Sequence, residues 1–121
     1  MISNIQSTIL LVGNDSTLIY LLGRFAERGG YLFTVSSEGL SIKEIESINP
    51  VAIIFTSMEL LATRQTLVVE LSSLDTPLMV CLSVTEEARA RELGADYCLL
   101  HPLTYDDFQT ALSNASASKH T

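Results

Sequence analysis

Five short apolar runs, each closed by a turn signal and separated by segments of helical spacing, constrain this chain more than any other feature. They are Thr8–Val12, Tyr31–Ser36, Val51–Phe55, Leu78–Leu82 and Tyr97–Leu100. Most lack the in–out alternation of a half-solvated strand, and Val51-Ala-Ile-Ile-Phe55 and Leu78-Met-Val-Cys-Leu82 are apolar throughout. Continuous apolar strands of this length are read as strands buried on both faces, which is the condition of a parallel sheet.

The intervening segments carry helix punctuation. Asp15 or Ser16 can cap a helix whose Leu18, Leu21, Leu22 and Phe25 recur at helical spacing, and Gly29-Gly30 ends it. Ser41-Ile-Lys-Glu44 has the spacing of a capping box, and Pro50 stops the short helix that follows. Leu60, Leu61, Leu67, Val68, Leu71 and Leu74 mark one further helix after a loop near Thr56–Glu59. Thr85-Glu-Glu opens another, closed by Gly94, and Thr104-Tyr-Asp-Asp107 opens the last. Strands and helices alternating over short connections give an α/β fold, with a parallel sheet covered by helices on both faces through right-handed crossovers. The Ser/Ala-rich end from Ser113 to Thr121 is expected to be a flexible polar tail, so the domain spans residues 1–112.

Composition excludes several function classes. With 7 Lys+Arg against 14 Asp+Glu in 121 residues the formal charge is −7, and scattered cations give no surface for nucleic acid. At 47% hydrophobic the chain fills a core. No apolar run approaches the ~20 residues of a membrane-spanning helix. Met-Ile-Ser-Asn-Ile-Gln at the start lacks the features of a secretory signal, so a cytoplasmic protein is expected. Cys81 and Cys98 sit inside apolar runs without CxxC or zinc spacing, and are read as buried, reduced thiols.

Four motifs resemble one family. Gly94-Ala-Asp-Tyr-Cys-Leu-Leu-His-Pro102 is similar to the Gly-Ala-Asp-x-Tyr-Leu-x-Lys-Pro segment of response-regulator receiver domains. Asn49-Pro50-Val-Ala-Ile-Ile-Phe-Thr56 resembles their phosphoacceptor strand, Ile9-Leu-Leu-Val-Gly-Asn-Asp15 their first strand and acidic turn, and Thr76-Pro77 the approach to their fourth strand. The resemblance covers nearly the whole chain. It implies a doubly wound five-stranded sheet of flavodoxin-like order 2-1-3-4-5. It also implies a cis bond before Pro102.

In that family two acids after the first strand and an aspartate after the third hold magnesium, and the third acid takes the phosphoryl group as a mixed anhydride. Here Gly13 and Asn14 stand at the acidic pair, Thr56 at the acceptor and His101 at the lysine that neutralises phosphoryl charge. Asp15 lies one place downstream, where capping the first helix is the simpler role. The resemblance therefore implies a degenerate receiver with no aspartyl phosphorylation, no metal, no cofactor and no catalytic residue. Glu59 near the old pocket reads as a loop acid. A hydroxyl–aromatic switch is also displaced: Leu82 takes the hydroxyl position, with Ser83 one residue later, and Cys98 takes the aromatic position beside Tyr97.

Two functions remain open. The first is a two-component signalling domain that acts by binding a protein, whether a kinase, a regulator, an output protein or a second copy of itself. Its candidate face holds Arg89, Arg91, Glu92, Tyr97, Tyr105, Asp106 and Asp107. The alternative is a small-molecule or pH-sensing module at the strand carboxyl ends, where Asp15, Ser57, Ser83 and His101 form the rim around Gly13, Asn14 and Thr56. These groups do not make a nucleophile–base–orienter set, and no Gly-rich phosphate loop follows the first strand.

Overall fold

The computed structural model describes residues 7–36 and 40–119. Residues 1–6, read above for a signal segment, and the last two residues of the expected tail lie outside the described residues. The strands are β1 (Thr8–Val12), β2 (Leu32–Ser36), β3 (Ala52–Phe55), β4 (Leu78–Leu82) and β5 (Tyr97–Leu100). The helices are α1 (Ser16–Arg28), α2 (Ile42–Ile48), α3 (Met58–Thr63), α4 (Gln65–Leu71), α5 (Glu87–Glu92) and α6 (Tyr105–Lys119). All strand pairs are parallel, in the order β2-β1-β3-β4-β5. This is the flavodoxin-like architecture expected.

The alternation of side chains along each strand divides the core in two. Ile9, Leu11, Ile54, Met79, Cys81 and Leu99 face one side, where α1 contributes Leu18, Leu22 and Ala26 and α6 contributes Phe108, Ala111 and Leu112. Leu10, Val12, Ile53, Phe55, Val80, Leu82 and Cys98 face the other, beneath Ile45 of α2, Leu61 of α3, Val68 and Leu71 of α4 and Ala90 of α5. Neither face of β1, β3 or β4 meets solvent appreciably, which explains why their sequences do not alternate. β2 lies at the sheet edge and is mostly exposed, and its sequence is correspondingly more polar.

Local signals account for the helix boundaries. Asp15, rather than Ser16, caps α1, its carboxylate accepting from the Leu18 N–H at 3.1 Å. Ser41 and Glu44 form the reciprocal capping box at α2, and Asn49 ends that helix in the left-handed region at φ 53°. Thr104 caps α6 by accepting from Asp107 N–H at 3.1 Å.

Three boundaries differ from the sequence reading. The single helix expected over Leu60–Leu74 is two, interrupted at Arg64, whose φ −113° and ψ 37° leave helical space. The Gln65 amide spans that break, donating to Leu61 O at 2.8 Å and to Leu93 O at 3.0 Å. The helix expected from Thr85 begins instead as a 3₁₀ turn over Val84–Glu86, capped by Ser83, before α5. Residues 113–119, expected as tail, continue α6 as helix, in keeping with alanine's high helix propensity.

Replacing Ser41 by Ala should lower unfolding free energy by about 1 kcal/mol, because it orphans the Glu44 N–H and unseats the Glu44 carboxylate. Urea denaturation of the two proteins measures the difference.

Candidate functional site

The carboxyl ends of β1, β3, β4 and β5 converge on one edge of the sheet, where open α/β sheets present ligands. Gly13 follows β1 directly and donates its N–H to Ser36 O at 2.9 Å, tying the end of β1 to that of β2. Thr56 follows β3 and donates its N–H to Val12 O at 3.1 Å, tying β3 to β1. These two bonds bring Gly13 and Thr56 side by side. Thr56 is 7% exposed, and its side chain lies over the Gly13 backbone. Gly13 itself has φ 143°, a conformation that side-chain-bearing residues rarely adopt.

Three of the rim residues are engaged locally, each at the start of its own helical segment. Asp15 is engaged at α1, and Ser57 caps α3 by accepting from Leu60 N–H at 3.2 Å. Ser83 is held by Glu86, whose carboxylate accepts from both its N–H and its hydroxyl at 3.1 Å, and by Thr85 at 3.0 Å. The Ser83-x-x-Glu86 spacing that signals this arrangement is present in the sequence. Asn14 and His101 are exposed, the His101 N–H donating to Leu82 O at 3.2 Å, and the His101–Pro102 bond is cis. Glu59 is exposed in the first turn of α3.

This donor set does not fit the magnesium ion of phosphorylating receivers. A hard divalent cation needs several oxygen ligands, with carboxylates to balance its charge. Gly13 offers no side chain, Thr56 a neutral hydroxyl packed against Gly13, and Asn14 a neutral amide. The nearest acid in sequence, Asp15, holds the start of α1. Among the described residues no group of three or more His, Cys, Asp or Glu is arranged to hold a metal ion.

Strand pairing decides which residue stands where receiver domains carry a switch hydroxyl. Leu82 pairs with Leu100 as the last residue of β4, and its side chain is 3% exposed within the core under α5. Ser83 lies beyond the strand and belongs to the 3₁₀ cap. Cys98 points to the same face as Leu82, while Tyr97 points to the opposite face and meets Asn114, whose amide lies 3.3 Å from the phenol oxygen.

The candidate protein-binding face is only partly assembled. Arg91, Glu87, Tyr97, Asp107 and Thr110 line a cavity of about 310 Å³ between α5, β5 and α6, with Arg91 and Glu87 paired at 3.1 Å. Arg89 and Glu92 on α5 and Asp106 on α6 are exposed. Tyr105 is committed elsewhere. Its ring lies 5.8 Å from Phe25 and 6.4 Å from Phe108, with the Arg28 guanidinium 4.1 Å from its centroid, so it joins α6 to α1. Sequence reading missed Arg28 and Phe25 as Tyr105's partners, because nothing in their spacing indicates contact across two helices.

The two cysteines are free and face opposite sides of the sheet, which rules out a disulfide between them without rearrangement. Burial, with a smaller contribution from the Asp15 carboxylate, pushes the Cys81 thiol up to about 12 from its ordinary value of 9.0. Burial also raises Cys98, opposed by Arg91 and reinforced by Glu87.

No protein-family model matches the sequence, and no curated protein matches it. Solved structures do. The N-terminal signal receiver domain of a two-component response regulator from Bacteroides fragilis superposes with a TM-score of 0.73, over 93% of this chain and 98% of its own, at 15% identity. The N-terminal domain of the nisin resistance regulator NsrR gives 0.72 over 93% and 99%, at 22% identity. A CheY-like receiver domain from Methanospirillum hungatei JF-1 gives 0.68 over 96% and 98%, at 15% identity. This chain has the receiver fold. At these identities the likeness speaks for architecture, and function has to be argued from the residues at the strand ends.

The raised thiol makes a signed prediction about alkaline stability. Below pH 9 the Cys81 thiol is protonated whether the chain is folded or not, so it gives no pH dependence. Between pH 9 and about 12 the unfolded chain releases the proton while the folded one retains it, so stability falls as pH rises. Urea midpoints measured across this range should decline less steeply in Cys81→Ala than in the native chain.

Proposed function

We propose that this chain is a receiver-like signal-transduction domain of the two-component type that is not phosphorylated on aspartate, has no catalytic activity and acts by binding another protein. The observation that carries the reading is the chemistry at three positions. The receiver fold is intact, yet Gly13, Asn14 and Thr56 stand where phosphotransfer requires three carboxylates. A hydroxyl or amide cannot form the acyl phosphate, and the metal that would shield the incoming phosphoryl group has no carboxylate here to hold it.

Protein binding is supported by the groove between α5, β5 and α6. It combines the Arg91–Glu87 pair, Asp107 and the half-buried ring of Tyr97, a mixture of charge and amphipathic aromatic surface suited to an anchoring contact. The partner in this reading is a sensor kinase, a second regulator or an output protein; a second copy of the chain is the alternative. Ligand or pH sensing at the strand ends has weaker support, since Asp15, Ser57 and Ser83 already accept or share hydrogen bonds at helix starts. Among the described residues no helix is long and apolar enough to cross a membrane, and a cytoplasmic location belongs to the same proposal.

Incubation with acetyl phosphate and magnesium, followed by intact mass, tests the phosphorylation half of this reading. The expected result is no stoichiometric adduct. A hydroxylamine-labile phosphate adduct would overturn it.

A further inference from the structure

The mismatch between these residues and a cation site extends beyond missing carboxylates. Three observations converge on Gly13 and Thr56. A Cβ built on Gly13 would lie 2.7 Å from Thr56 Cγ2 and 2.8 Å from Thr56 Cβ, and closer still to Thr56 Oγ1. The neighbouring atoms belong to a short, branched side chain that is 7% exposed, so it has little freedom to withdraw. Gly13 also sits at φ 143°, outside the range comfortable for any other residue.

We propose that Gly13 and Thr56 form an interlocked pair, in which the Thr56 side chain occupies the volume that any side chain at position 13 would need. The inference rests on the reading of this site as a non-phosphorylating receiver pocket and goes beyond it. With the Gly13 backbone at φ 143°, a side chain at position 13 and that of Thr56 compete for one volume, so packing adds to the missing carboxylates. Two backbone bonds, Gly13 N–H to Ser36 O and Thr56 N–H to Val12 O, hold the ends of β2, β1 and β3 and keep the pair in contact.

The test is a stability cycle on the full chain, comparing the native protein with Gly13→Ala, Thr56→Gly and the double variant. Overpacking together with the unfavourable φ should lower the Tm of Gly13→Ala by roughly 8 °C or more. In the Thr56→Gly background the same change should cost about half as much, because only the backbone strain remains. An equal loss in both backgrounds, or no loss in the native one, would show that the two residues do not interlock.

Should Gly13→Ala fail to fold, hydrogen exchange in Thr56→Gly alone decides. Removing the plug should speed exchange of the Gly13 and Thr56 amides by roughly tenfold or more. Unchanged exchange at both amides overturns the proposal. Neither readout depends on phosphorylation, so the interlock can fail while the non-phosphorylated reading stands, and the reverse also holds.

Discussion

The structure depends on burying a parallel sheet on both faces. Ile9–Val12 and Ala52–Phe55 are fully removed from solvent. A central strand in that position must be covered twice, once by α1 and α6 and once by the layer of α2 to α5. Each element's apolar residues follow from this requirement. So do the crossovers, since consecutive parallel strands need a helix to return the chain to the other end of the sheet.

The same requirement brings the strand carboxyl ends together and creates the place where this fold does its chemistry elsewhere. Here the Thr56 side chain covers Gly13, while Asp15, Ser57 and Ser83 hold the starts of the helices that leave the sheet. Polar residues at a strand end are therefore not by themselves a binding site. A side chain that caps a helix has committed part of its hydrogen-bonding capacity and is held to one orientation.

Much of the fold was legible because local and tertiary preferences agree. The apolar runs located the strands within a residue, and Ser41-x-x-Glu44, Gly29 and Pro50 marked helix ends correctly. The misreadings fall where local signals were weak. The break at Arg64 carries no proline or glycine, and is supported by Gln65 reaching Leu93, a contact 28 residues distant. The Ser/Ala-rich end carries no strong local signal either, and helix α6 continues over it as far as Lys119, as its alanines favour.

At the candidate site, sequence alone determined which chemical groups are present. Glycine, asparagine and threonine at positions 13, 14 and 56 lack carboxylates whatever the fold does with them, and that bears directly on phosphotransfer. Tertiary structure alone decided how those groups are used. It placed Leu82 inside the core and Ser83 in a cap, sent Tyr105 toward Arg28 and Phe25, and set Cys81 and Cys98 on opposite faces. It also laid Thr56 against Gly13, 43 positions away in the chain. The reason is physical: side-chain chemistry is fixed residue by residue, whereas contact between residues far apart exists only once strand pairing has brought their backbones together.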